Sequence, residues 1–453
     1  MADDGFPTVS RARIRLAELL GALSYALDMV EGQPAGHCVR SCWIGTQIGK
    51  QLGLDDHDIR DLYYTLLLKD LGCSSNAARI CKLFLTDDLV FKRNSKTLDD
   101  GLSQAIRFVL FHSGLKAGLA ERFRTIVNVF LQSGQIGTEL VSARCFRGAD
   151  IARKMRFSET VALGIQSLDE HWDGGGLPMG LAGTAIPVLS RIALLAQVVD
   201  VFQFASGRDA ANAEVQKRSG SWFDPQLVAA FDRVRERPEF WETLASDDLP
   251  QIIFALEPAQ TSSMVDEDYL DDIAAAFAEV IDSKSPYTSG HSERVTLFAD
   301  LIAAELGLSL EKRRWLKRAA LLHDIGKLGV SNSILDKPGK LDALEWEAMK
   351  LHAAHTETIL SRISAFGDLA AIARAHHERL DGQGYPHGLT GDRIALETRI
   401  ITTADIFDAL TAERPYRAAM PVAKAIAIMS DMVGTAIDEA CFDALRRAIQ
   451  PVA

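Results

Sequence analysis

The sequence predicts an all-α chain built from two tandem copies of one helical unit. Three observations carry this. Apolar residues recur at helical spacing along most of the 453 residues, alternating β-branched runs are scarce, and one long pattern occurs twice. Asp28-Met29-Val30-Glu31-Gly32 followed by His37 in the first copy matches Glu279-Val280-Ile281-Asp282-Ser283 followed by His291 in the second. After each histidine an apolar stripe runs to a glycine: Ile44, Ile48, Leu52 and Gly53 in one copy, Phe298, Ile302, Leu306 and Gly307 in the other. That spacing with a terminal glycine describes a helix and its C-cap. Leu68-Lys69-Asp70-Leu71-Gly72-Cys73 then stands where Leu322-His323-Asp324-Ile325-Gly326-Lys327 stands. One offset of 254 covers every pair from His37 and His291 onward, and within the preceding stretch it sets Asp28 on Asp282.

Farther on the offset becomes 208. It links Asp173-Gly174-Gly175-Gly176-Leu177-Pro178 with Asp381-Gly382-Gln383-Gly384-Tyr385-Pro386, and Arg191-Ile192 with Arg399-Ile400. The first copy therefore carries about 46 extra residues, expected between 80 and 140. Phe223-Asp224 and Ile437-Asp438 each precede a closing helix-like stretch. Residues 1–235 are read as the first domain and 266–453 as the second. The stretch 236–265, with Pro238, Pro250, Pro258 and Thr261-Ser262-Ser263, is read as their connection. Long helices are expected at 269–282, 292–306, 311–323, 342–362 and 397–412.

Composition narrows the function. Hydrophobic content of 47%, charged content of 24% and a mean hydropathy of +0.03 describe an ordinary globular protein, and 453 residues exceed one compact core. A net charge of -12 argues against duplex nucleic acid as a partner, while a small anion could still enter a pocket made positive by metals. Glu18 and Asp28 interrupt the first apolar stretch, and no run reaches the roughly 18 uninterrupted apolar residues of a membrane span, so a cytoplasmic location is expected. The six cysteines show no metal-type spacing and read as buried thiols.

Seven of the eleven histidines fall between 291 and 387. A lone histidine is usually structural, but here His323-Asp324 and His376-His377 occur as adjacent pairs. His323, Asp324, His352, His376, His377 and Asp405 form a candidate set of imidazole and carboxylate donors suited to iron, manganese or zinc, with a carboxylate able to bridge two ions. Two such ions about 3.5–4 Å apart can activate a water and stabilise the leaving oxygen of a phosphodiester. Lys327 lies four residues after His323; a helix extending that far would put both on one face, with the ammonium available to a phosphate oxygen.

These residues resemble the HD-GYP phosphodiesterases, a branch of the HD phosphohydrolase superfamily. The resemblance spans most of 266–440 and rests on His291 within Tyr287-Thr288-Ser289-Gly290-His291-Ser292, on His323 to Lys327, and on Ile334-Leu335-Asp336-Lys337-Pro338-Gly339-Lys340-Leu341. His376-His377-Glu378, Gly384-Tyr385-Pro386, Ala404-Asp405-Ile406-Phe407-Asp408-Ala409-Leu410-Thr411 and Arg414-Pro415-Tyr416-Arg417 extend it. It implies two tandem HD/HD-GYP-type helical domains. It also implies a binuclear iron or manganese site on His323, Asp324, His352, His376, His377 and Asp405, with Asp324 bridging. Lys327 is then the catalytic lysine beside Asp324, and Gly384, Tyr385 and Pro386 border the substrate. The implied activity is hydrolysis of a cyclic dinucleotide, first of all cyclic di-GMP, to linear pGpG or GMP by a hydroxide bridging the metals. Cyclic GMP-AMP is the alternative substrate, and a non-catalytic cyclic-dinucleotide receptor or signalling scaffold is the rival class. A homodimer or a signalling-protein contact is the macromolecular association considered.

The chain departs from the family pattern in places. Tyr287 stands where some members have a glutamate that joins the histidine at position 291 in holding a third metal, which favours two metals and leaves His291 as an additional site. Ala353 and Thr356 replace a usual proline and glycine. His355 and His387 match no ligand position and read as structural or solvated. Arg414 and Arg417 read equally as a phosphate clamp or as partners of Asp408 or Glu413. In the first copy Lys69, Cys73, Arg144, Leu168, Asp169 and Gln197 replace His323, Lys327, His352, His376, His377 and Asp405, and only His37 and Asp70 persist. That copy is expected to be metal-free, its charges forming either an internal ion-pair network or a site for an anionic regulator.

Overall fold

In the computed structural model the described residues are 15–96, 113, 114, 125, 126, 133–257, 265–413 and 418–450. Among them every element is helical, apart from isolated bridges such as Asp381 with Thr390. The five long helices of the second copy are Glu267–Asp282, His291–Glu305, Leu310–Leu322, Ala343–Leu360 and Leu396–Thr411. Side-chain caps set three of their starts. Asp266 accepts from the Tyr269 N–H, Ser309 from that of Lys312, and Asp342 forms a reciprocal capping box with Glu345. In the first copy the short helices Ala77–Phe84 and Asp88–Ser95 precede Ser133–Lys154, the counterpart of Ala343–Leu360. Arg414 and Arg417 lie outside the described residues, as do Pro258 and Thr261-Ser262-Ser263.

Where the sequence suggests a connection, the chain forms two more helices, Pro238–Leu244 and Leu249–Ala255. Pro238 and Pro250 sit in the first turn of each, where a missing N–H is harmless, so they start helices here. Phe240, Trp241, Leu244, Leu249 and Ile253 are buried, and the Trp43 indole donates to the Phe240 carbonyl at 3.0 Å. The helix Val188–Ser206 is long and apolar enough to cross a membrane by length and composition. It carries Arg191 and Asp200, however, and packs as a largely buried core helix.

A single cluster of buried apolar side chains runs from Leu16 to Leu445, so the copies share one core. Their contact is a pseudo-twofold interface in which the first helix of each copy, Leu16–Val30 or Glu267–Asp282, packs both on its own copy and against the other. The contacts come in mates at the sequence offsets. Arg156 pairs with Asp272, and correspondingly the Ser364 N–H donates to Glu18 at 2.6 Å. Lys154 pairs with Glu279, and Arg362 lies 4.0 Å over the ring of Tyr25.

Two close backbone approaches shape each copy. A Cβ on Gly326 would meet the His352 carbonyl at 1.9 Å, and one on Gly72 would meet that of Arg144 at 1.8 Å. In the second copy the Thr356 hydroxyl ties this contact together, donating to the His323 carbonyl at 3.1 Å and accepting from the Gly326 N–H at 3.0 Å. Gly326→Ala is expected to destabilise the chain by about 2–4 kcal/mol in chemical unfolding, because backbone must move to admit the methyl group. Gly367→Ala, with nothing within 4 Å of the added carbon, is expected to stay within about 0.5 kcal/mol of wild type.

Candidate metal centre

The helix Leu310–Leu322 ends just before the His-Asp pair. His323 is its C-cap and Asp324 leads into a 3-10 turn, Ile325–Gly329. Lys327 therefore does not share a helical face with His323. The tight approach of Gly326 to the helix Ala343–Leu360 forces the turn, and the lysine comes round to pair with Asp324 Oδ2 from three residues away.

Asp324 is buried and its two oxygens face different donors. Oδ1 lies 3.6 Å from His352 Nε2 and 3.6 Å from His376 Nε2. Oδ2 lies 3.3 Å from His323 Nε2 and 3.4 Å from His291 Nε2, which is also 3.5 Å from Asp405 Oδ1. Donors that share an ion at roughly 2.1 Å stand about 3.0–3.5 Å from one another, so these separations suit shared metals. Asp324 with His352, His376 and His377 forms one converging group, His291 with His323 and Asp324 a second, and His323 with His376 and Asp405 a third. All six residues named as candidate ligands are thus brought together, and His291 joins them.

The ring nitrogens are oriented from behind. Nδ1 of His323, His352 and His376 each meets a carbonyl three residues earlier, that of Ala320 at 2.7 Å, Met349 at 2.6 Å and Ala373 at 2.5 Å. Those contacts leave Nε2 free to coordinate. Nε2 of His291, His323, His352 and His376, together with Asp324 Oδ1, is buried without a hydrogen-bond partner. Each such orphan costs about 1–3 kcal/mol unless something binds it, and cations bound on the two sides of Asp324 would satisfy them. The residues fit a metal centre. Burial pushes the His352 imidazole down to about 3, which keeps it a neutral ligand. Burial also works against charge on Asp324, but Lys327 and His323 hold its carboxyl well below the usual range.

His291 is placed by Asp408 and Arg294. Its Nδ1 meets Asp408 Oδ2 at 2.7 Å, and Arg294 holds the other oxygen of that carboxylate at 2.5 Å. His37, Asp200 and Arg40 repeat the arrangement in the first copy at 2.6 and 2.6 Å. The repeat offsets, which set Arg40 on Arg294 and Asp200 on Asp408, were the signal that could have tied Arg294 to Asp408.

The loop after His377 is held by Glu378, whose two oxygens accept from the N–H groups of His387 at 2.7 Å and Leu389 at 2.8 Å. Gly384 permits a close approach, since a Cβ there would meet the Arg379 nitrogen at 2.4 Å. The Tyr385 ring stands 4.8 Å from that of His377, and a cis bond joins it to Pro386. A cavity of about 690 Å³ opens on the centre. Its walls include His291, Asp324, Lys327, Tyr287, Trp346 and Lys340, and the loop meets it where Tyr385 packs edge-on against Trp346.

The first copy keeps the scaffold and changes the chemistry. Lys69, fully buried, places Nζ 2.9 Å from His37 Nε2 and pairs with Asp70, so an ammonium stands among the remaining donors. Arg144 donates through Nε to Asp169 at 2.8 Å. Glu31, Asp70 and Cys73 do converge, but Lys96 lies 2.7 Å from Glu31, and burial pushes the Cys73 thiol well up, away from the thiolate a metal needs. The charges at the vanished ligand positions are spent on one another.

A profile of the HD domain family matches residues 114–227 and 275–441. The chain belongs to that family, and to its HD-GYP phosphodiesterase branch. It is 55% identical over 442 residues, covering 98% of this chain and 96% of the relative, to the Vibrio cholerae protein named 3'3'-cGAMP-specific phosphodiesterase 3. Identity to the Xanthomonas campestris protein named cyclic di-GMP phosphodiesterase response regulator RpfG is 40% over 207 residues, 45% of this chain and 54% of that one. A crystal structure of a cyclic GMP-AMP-specific phosphodiesterase from V. cholerae shares the fold with a TM-score of 0.67 at 50% identity, covering 97% of this chain and 99% of that one.

Elemental analysis of purified variants checks the centre. Asp324→Ala and His352→Ala are expected to lose most of their bound transition metal, whereas Lys69→Met and Asp70→Asn are expected to retain the wild-type content.

Proposed function

We propose that the second copy hydrolyses 3′3′-cyclic GMP-AMP to a linear dinucleotide at a centre of two divalent ions. The observation that carries the site is the divided environment of Asp324, with one oxygen toward His352 and His376 and the other toward His323 and His291. The choice of substrate over cyclic di-GMP rests on the relative that spans both copies and is named for 3'3'-cGAMP.

On this reading His323, Asp324, His352, His376, His377 and Asp405 would hold the ions, with both oxygens of Asp324 available to them and His291 a seventh donor. Iron or manganese suits imidazole and carboxylate together. Bound there, the ions supply an activated water and neutralise charge on the phosphate oxygens. The chain's own residues do the rest. The water gives up one proton as its oxygen bonds to phosphorus, the bond to the 3′-oxygen breaks, and that oxygen takes up one proton as it leaves, so the net step adds one water. Lys327 turns from Asp324 to a non-bridging oxygen as negative charge grows there. The helix carbonyls behind the histidines keep each Nε2 aimed, and the cavity beside Trp346 and Lys340 accepts the nucleotide. Tyr385 and its neighbours Gly384 and Pro386 brace the far wall next to His377 and Trp346.

Incubation of the manganese- or iron-loaded protein with a panel of cyclic dinucleotides under reducing conditions tests this. Cyclic GMP-AMP is expected to turn over at least about tenfold faster than cyclic di-GMP by kcat/KM, with Asp324→Ala inactive on both. Faster turnover of cyclic di-GMP contradicts the substrate, and no turnover of any member contradicts the activity.

A further inference from the structure

The extra segment of the first copy reaches across the pseudo-twofold interface. Asp88 begins the helix Asp88–Ser95, and its carboxylate is fully buried. Oδ1 accepts from the Ser331 hydroxyl at 2.9 Å and from the Asn332 N–H at 2.8 Å, with the Cys81 thiol at 3.6 Å. Oδ2 lies 3.6 Å from the ammonium of Lys284. Ser331, Asn332 and Lys284 all belong to the second copy, and Lys284 lines the cavity that opens on Asp324.

Lys284 leads directly toward the reacting centre. It is buried, and its Nζ donates at 3.2 Å to the carbonyl of Leu328, the residue after Lys327. Asn332 closes the network by donating to the Lys284 carbonyl and to Asp336 Oδ2, both at 2.7 Å. Burial pulls the Lys284 ammonium below its ordinary range, and the Asp88 carboxylate is the foremost group opposing that loss of charge. Without Asp88 the lysine is a buried cation that has lost its ion-pair partner, with the Asp336 carboxylate acting on it only from farther off, and it must neutralise or move. The Arg156–Asp272 and Lys154–Glu279 contacts have mates, whereas the first-copy counterpart of Lys284 is Val30, with no charge to offer. This contact is specific to the catalytic half.

We propose that Asp88 is a positioning residue for hydrolysis, through which the metal-free copy holds Lys284 and the segment 325–336 so that Lys327 meets the phosphate. The proposal rests on the phosphodiesterase reading of the second copy.

The full-length wild type, Asp88→Asn, Lys284→Met and the double variant are compared. Turnover is measured on 3′3′-cyclic GMP-AMP and on bis(p-nitrophenyl) phosphate, and amide hydrogen exchange is followed over 325–336. Asp88→Asn is expected to lower kcat about tenfold with KM changed less than about threefold, to keep its metal, and to exchange faster over 325–336. In the double variant the losses are expected to be less than multiplicative, because both residues act through one network. Unchanged kcat and exchange in Asp88→Asn, or fully multiplicative losses, overturn the proposal. If wild type turns over neither substrate, the activity reading fails while the exchange comparison still decides the role of Asp88. Should Asp88→Asn not fold, Ser331→Ala, which removes one donor to the same carboxylate, carries the same readouts with a smaller expected loss.

Discussion

The site depends on one backbone contact, the seating of Gly326 against the carbonyl of His352. No side chain fits between them, so the turn after His323 and the helix Ala343–Leu360 must meet there. The meeting brings His352 to one oxygen of Asp324 while His323 and Lys327 take the other. Thr356 reinforces the contact with its hydroxyl where the family usually has glycine, and the first copy does have glycine at that position, Gly148. Metal chemistry is thus arranged by packing before any ion binds.

The duplicated chain separates scaffold from chemistry. Gly72 against Arg144, Glu170 holding its loop at Met179 and Leu181, and His37 fixed by Asp200 and Arg40 repeat the architecture of the second copy. What differs is the occupant of the centre. In one copy, imidazole nitrogens face a carboxylate across distances that suit a shared cation. In the other, Lys69 supplies a permanent cation of its own, and burial together with that ammonium pushes His37 down to about 4. Lysine and arginine at the positions of His323 and His352 fill the centre with ion pairs while the copy keeps its half of the shared interface.

Much of this was legible in the sequence because it is periodic or adjacent. The five long helices fall within two residues of their expected ends, and the His-Asp pair, the second histidine pair and Asp405 announce themselves by residue type. Three features left no such trace. The helix stops at Leu322 because of a close approach by a chain segment some thirty residues away, which no local pattern records, so the condition for His323 and Lys327 to share a helical face is not met. Prolines at 238 and 250 suggest a break when read alone, yet they occupy first turns of helices stabilised by burial of Phe240 and Trp241. Asp88 looks like one more acidic residue in an insertion until Lys284 is seen opposite it. The hydrophobic pattern names faces of helices; it does not name what they face.

The central claim is that two ions flank Asp324 and that the first copy holds none. Anomalous diffraction from metal-loaded crystals of the full chain tests it most directly. Two peaks about 3.5–4 Å apart, one on each side of the Asp324 carboxylate, are predicted, with no peak among Glu31, Asp70 and Cys73. A single peak in the second copy, or any metal peak in the first, would contradict the account.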